Sequence, residues 1–292
     1  MLAATASAPG FWDWSLDAPL VIVIDLAILY RLGDRRTVRP MRTRGAQHLR
    51  SAAFYGSLIV LAIALSSPLD ILSDDLFWAH MVQHVLLMLV AAPLMVLARP
   101  WVRLWRSVPL TARRRIARTL SRDQRAAPLR TVVRALGRPA TALVAFTATL
   151  AVWHVPVMFD ATLRSAPLHA LEHTLFFLTA VALFKHVIDS PPLRSPLDDP
   201  RRILFTTTAM VVSWALAVVL ALAPHPLYGH YAALASRPGG ISALADQQIA
   251  AGVMWVPGSV TFVLVIFAYI HRWLARPTGG AARREPRLAG GH

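Results

Sequence analysis

Apolar stretches of membrane-crossing length alternate along this chain with connections that are by turns crowded with arginine and nearly free of it. A spanning helix needs roughly 20 mostly apolar residues, with some tolerance for shorter ones. In lipid every backbone polar group must be satisfied internally, so an open chain can cross only as helices. Residues 18–32, 51–67, 75–98, 139–159, 167–188, 202–223 and 244–273 meet the requirement, the first of them short and carrying Asp25. The expected fold is therefore all-α: a polytopic membrane protein with seven transmembrane helices and a single membrane domain over residues 1–292. Of these residues 56% are hydrophobic and 15% charged, and mean hydropathy is +0.51. A chain this apolar is not an ordinary soluble domain.

The arginines orient it. Seven lie between residues 31 and 50, twelve between 99 and 138, three between 194 and 202, and five between 272 and 287. Of the 30 basic residues only Arg164, Arg237 and Lys185 fall elsewhere. Cytoplasmic loops carry the excess of Lys and Arg, which predicts the N-terminus outside and the C-terminus cytoplasmic. Residues 1–17 then form an outer tail with Phe11, Trp12 and Trp14 at the interface, and without a basic segment ahead of an apolar run they do not resemble a cleaved signal. Residues 99–138 form a basic cytoplasmic connection, and residues 274–292 a flexible basic tail. LTARRRIARTL and PLRTVVRALG, inside the long connection, set apolar residues on one helical face among arginines. Such segments either lie on an anionic inner leaflet or form a solvated basic loop. The net charge of +15 has the same origin, and no nucleic-acid motif accompanies it.

Cysteine is absent, which excludes disulfides, iron–sulfur clusters and thiolate ligands. Polar side chains within the apolar stretches are then the candidates for function. His80 and His84 share one helical face at i, i+4, as do His169 and His173, with Glu172 beside them. On the predicted topology both pairs lie toward the outer side. His154 falls there too, near the end of the fourth stretch, and Asp246 and Gln247 open the seventh. The five histidines are candidate metal ligands. Glu172 is expected to hold an imidazole N–H rather than the ion, with Asp246, Gln247 and Met81 in support. Each histidine singly also suits an interhelical hydrogen bond, and the methionines suit plain packing. Asp25 is a candidate proton or ion relay. Pro93, Pro156 and Pro257 interrupt the third, fourth and seventh stretches and are expected to kink them. No nucleophile-and-base arrangement or phosphate loop points to an enzyme.

The segments HMVQHVLLMLVAAPLMVL (80–97), WHVPVMFDATL (153–163), LHALEHTLFF (168–177) and ADQQIAAGVMWVPG (245–258), with LYRLGDRR after the first stretch, resemble the CtaG-type assembly factors of caa-type cytochrome c oxidases. The likeness runs over nearly the whole chain. It implies a bacterial plasma-membrane protein that assists assembly of a haem–copper oxidase, with oxidase subunits as partners and copper as cargo. The matching polar positions are His80, His84, His154, His169, Glu172, His173, Asp246 and Gln247. The chain departs from the pattern at LFKHVID (183–189), where relatives carry a Trp-rich stretch ending in Pro-Val. Two other functions stay open on the residues alone: a haem-binding electron-transfer protein with axial histidines, and a copper or proton transporter working through Asp25.

Overall fold

The computed structural model describes residues 10, 12–36, 44–192 and 194–276. Phe11, Arg39, Arg42 and the tail beyond residue 276 lie outside the described residues. Among those described, the regular elements are helices. The first nine run from the N-terminal side to the middle of the chain: α1 (Ala18–Arg35), α2 (Arg44–Ser66), α3 (Pro68–Asp75), α4 (Phe77–Val85), α5 (Ala92–Ala98), α6 (Trp101–Ser107), α7 (Leu110–Arg122), α8 (Ala127–Leu136) and α9 (Pro139–Trp153). Then follow α10 (Pro156–Leu163), α11 (Ala166–Val187), α12 (Asp199–Leu222), α13 (Gly229–Ala232) and α14 (Ala243–Leu274).

Five straight segments are long and apolar enough to cross a membrane: Gly45–Ser66, Phe77–Ala98, Ala166–Val187, Asp199–Leu222 and Ala243–Leu274. Two of the seven expected spans differ from the sequence reading. The first, α1, measures about 27 Å at 1.5 Å per residue, but Asp25, Arg31, Asp34 and Arg35 lie on it. The fourth, expected to continue to residue 159, stops at Trp153. Pro156 lacks the N–H that would continue the helix and its ring excludes the preceding turn, so the chain turns at His154 and Val155 and restarts as α10. α9 is only 15 residues long, and its approach from α8 is bent by 90°.

Phe77–Ala98 is the most enclosed of the five and stands between α2, α11 and α14. Pro93 does not break it. A π-helical stretch, Leu86–Ala91, widens the turn just before the proline. The carbonyl of Leu89, which Pro93 leaves without a helical partner, accepts a bond from Thr261 Oγ1 at 2.6 Å. The neighbouring Ala91 carbonyl accepts from Ser57 Oγ at 2.8 Å. Side chains on α14 and α2 thus satisfy backbone groups of the central segment, as apolar surroundings demand. α14 runs unbroken through Pro257.

The core has three parts. Phe146, Phe176, Phe184 and Phe262 join α9, α11 and α14. Tyr30, Phe54 and Leu58 join α1 and α2 to the central segment. Phe77, Phe159, Tyr228 and Tyr231 close the end of the bundle where α3, α10 and α13 meet. The opposite end is held by charge. Arg103 pairs with Asp34 at 3.1 Å, Arg202 with Asp189 at 2.8 Å, and Arg276 with Asp199 at 2.5 Å. Gly33 is fixed there by contact rather than by conformation: a Cβ on it would collide with the Arg103 carbonyl oxygen, so α1 and α6 touch only because the side chain is missing. α7 buries no residue, and Leu110, Ile116, Leu120, Leu129, Val132 and Val133 on α7 and α8 are exposed.

Candidate metal centre

The i, i+4 spacing on α4 and on α11 brings two pairs of imidazoles face to face. His80 Nε2 and His84 Nε2 are 3.0 Å apart. The His84 ring lies 5.4 Å from that of His173, and His80 lies 5.1 Å from His169. The Glu172 carboxylate reaches between them, 4.0 Å from His80 Nε2 and 3.7 Å from His84 Nε2. His154, placed by the break between α9 and α10, stands on the far side of His84 with ring centroids 6.1 Å apart. Glu172 and His80 are wholly buried, His84, His154 and His173 nearly so, and His169 is half-buried at the rim. Phe159 and Phe176 wall the group in.

The hydrogen bonds around the rim settle which nitrogens face inward. Tyr231 donates its only hydroxyl hydrogen to the Ser73 carbonyl at 2.5 Å, so at 3.4 Å His80 Nδ1 must be the donor to that hydroxyl. His80 Nε2 then carries a lone pair, which accepts a bond from His84 Nε2–H at 3.0 Å until an ion takes its place. His154 Nδ1 donates to the Leu150 carbonyl at 2.8 Å, which leaves its Nε2 as a lone pair too. A second-sphere hydrogen bond of this kind fixes the tautomer of a ligating histidine.

Several inward-facing atoms have no hydrogen-bond partner among the described residues: Nε2 of His154, His169 and His173, and both Glu172 carboxylate oxygens. The Thr162 hydroxyl beside Glu172 donates to the Phe159 carbonyl at 2.7 Å. Buried polar atoms left unpaired cost about 1–3 kcal/mol each, so the cluster is a poor hydrogen-bonded core and a good donor set. One atom each from His80, His84, Glu172 and His173 lies within 4.8 Å of the others. An ion held at roughly 2.0–2.2 Å by nitrogen and oxygen sets opposite donors up to about 4.4 Å apart and tetrahedral ones about 3.5 Å apart, so the residues fit after side-chain shifts of up to about an ångström. Three imidazoles and a carboxylate suit copper, zinc, nickel or iron.

The other expected residues lie elsewhere. Asp246 accepts from the backbone N–H groups of Phe77 and Trp78, both at 2.9 Å; it caps α4, whose own N-cap residue supplies no side-chain bond. Gln247 accepts from Leu227 N at 2.7 Å and donates to the Leu220 carbonyl at 3.1 Å, tying α14 to the end of α12. Met81 is buried next to His84, on a small cavity. Asp25 is exposed on α1 and does not join the cluster. Two residues escaped the sequence reading. Tyr231, in the aromatic run PHPLYGHYA, orients His80. Gln83 donates to the Ala64 carbonyl at 2.7 Å and to Asp70 at 2.8 Å. Burial, opposed by that bond, pushes the Asp70 carboxyl up to about 6. The one available signal for Gln83 was an amide between two histidines on an otherwise apolar helix.

Membrane-length apolar helices around a buried imidazole–carboxylate cluster define a class of helical membrane protein with a candidate intramembrane metal centre. The family model described as cytochrome c oxidase caa3 assembly factor matches residues 28–276, and the chain belongs to that family. It is similar to uncharacterized protein Mb0105 of Mycobacterium bovis and to uncharacterized protein MT0111 of Mycobacterium tuberculosis, each 24% identical over 241 residues. The alignment covers 82% of this chain and 36% of theirs, so the chain spans about a third of the length of these curated relatives. No solved structure matches.

Proposed function

We propose that this protein assists assembly of a haem–copper oxidase by binding copper at His80, His84, Glu172 and His173 and passing it to an oxidase subunit. The role is non-catalytic, and its place is the bacterial plasma membrane. Family membership supplies the oxidase; the four donor atoms within 4.8 Å of one another carry the metal. In this reading α1 and α9 also cross, giving seven spans, and the arginine-rich end faces the cytoplasm. The cluster then lies near the outer surface, roofed by α3, α10 and α13. His169, half-buried at its rim, is the entry and exit ligand.

Two observations favour copper over the other readings. The cavity beside His84 and His154 measures about 30 Å³, far less than a porphyrin needs. Asp25, exposed on α1, offers no internal relay for a transporter. Metal analysis of protein purified without a polyhistidine tag tests the proposal. Replacing His84 and His173 together with Ala is expected to abolish copper at the cluster while leaving membrane abundance near wild type. Unchanged copper content in that variant overturns the assignment of these ligands.

A further inference from the structure

A second chamber lies directly against the cluster. It is a cavity of about 30 Å³ between the central segment, α9, α12 and α14, with Ser213 of α12, whose hydroxyl donates to the Ala209 carbonyl, on its wall, and His84 stands on the border between the two. A site needs about 10–15 Å³ on this measure to admit one water-sized species, so the chamber has room for a single small guest and little more. Met81 and Met88 come from the central segment and Met254 from α14; all three line it and all three are buried. His154 lines it from the break after α9, and its Nε2, a lone pair with no hydrogen-bond partner, is buried. Phe146 and Leu150 supply apolar wall.

We infer that this chamber is a second metal station, selective for cuprous ion, formed by His154 with Met81, Met88 and Met254. The chemistry of the donors carries the choice. Thioethers are soft ligands that select Cu(I). Every donor here is neutral, so a monovalent ion leaves one net charge in an apolar enclosure and a divalent ion leaves two, a far larger desolvation cost. The neighbouring cluster differs in kind: its carboxylate offsets charge and tolerates a divalent ion. Methionines fill core space elsewhere without consequence. Here three of them surround room that they leave open, with a buried imidazole lone pair beside them. His84 touches both chambers, so copper can pass from one to the other by exchanging a single ligand. For its biological use the inference rests on the copper reading of the cluster; its chemistry stands apart from it.

The test loads the full chain in detergent with Cu(I) under anaerobic, reducing conditions and reads copper X-ray absorption together with copper per chain. The wild type is expected to bind two coppers, one with sulfur scatterers. Met81→Leu with Met88→Leu and Met254→Leu, swaps that nearly conserve volume, is expected to lose the sulfur signal and one copper. His80→Ala with Glu172→Gln is expected to lose the other copper and keep the sulfur signal. If those cluster changes lose no copper while sulfur-bound copper persists, the cluster reading fails and the second station stands. A wild-type spectrum without sulfur overturns the inference, and it decides the matter even if a methionine variant does not fold. Sulfur scattering that survives in the methionine triple variant overturns it as well. So does loss of all copper in a folded methionine variant, which would merge the two stations into one.

Discussion

Glu172 has a carboxylate at 0% exposure with both oxygens unpaired and imidazole nitrogens 3.7 and 4.0 Å away. Those distances are too long for hydrogen bonds and suit atoms that share an ion. In the proposed metal centre its pairing depends on the ion, and this separates its two effects. Without metal it is a buried carboxylate that costs stability; with metal it supplies charge and orientation. Glu172→Gln is expected to raise the melting temperature of the metal-free protein in detergent. The same change takes a charged donor from the proposed ligand set and is expected to lower copper affinity by at least about 10–100-fold, the range for losing a group that merely orients a ligand. Both quantities can be read on one preparation. A lower melting temperature with unchanged affinity would make Glu172 an interhelical hydrogen-bonding residue and nothing more.

At the scale of elements, what was legible in the sequence was whatever a single helix determines. The pairs His80/His84 and His169/His173 follow from a 3.6-residue period, whereas the sequence reading misses the stop at Trp153, because it takes Pro156 as a kink within a helix running to residue 159. Effects that need a second helix were not legible. Around Pro93, Thr261 reaches the freed Leu89 carbonyl from α14 and Ser57 the neighbouring Ala91 carbonyl from α2. Asp246 reads in sequence as a polar neighbour of the cluster, whereas it caps α4 across 168 and 169 residues of chain. The carboxylate also sits at the positive end of the α4 dipole. This makes Asp246 a positioning residue for His80 and His84. Asp246→Ala is expected to strand the buried Phe77 N–H at about 1–3 kcal/mol and the part-buried Trp78 N–H at less, and Asp246→Asn, which keeps one acceptor oxygen, to lose less. Melting curves of the two variants give that order, and copper content should fall along with stability. An unchanged melting temperature for Asp246→Ala would remove the capping role.

At the scale of the whole molecule, the two ends of the bundle are chemically opposite, and that contrast decides how it lies in a membrane. One end gathers α3, α10 and α13 around aromatic residues. The other gathers Arg103, Arg202 and Arg272 with the exposed amphipathic helices α7 and α8. The right angle between α8 and α9 is the angle an interfacial helix makes with one that crosses, and arginine among exposed Leu129, Val132 and Val133 suits an anionic leaflet. Charge alone assigned these ends, but α1 and α9 are the weakest spans by length and charge, so the count rests on them. Because the chain has no cysteine, single introduced thiols report cleanly. Leu16→Cys and Ala235→Cys, both at exposed positions, are expected to react with a membrane-impermeant maleimide in intact cells. Ser121→Cys and Arg276→Cys, also exposed, are expected to react only after the cells are permeabilised. If Leu16→Cys alone were protected, α1 would lie along the inner surface instead of crossing. If Ala235→Cys were protected and Arg276→Cys labelled, the whole orientation would reverse, and the His–Glu cluster would open to the cytoplasm, where the proposed copper could be loaded but not delivered outward.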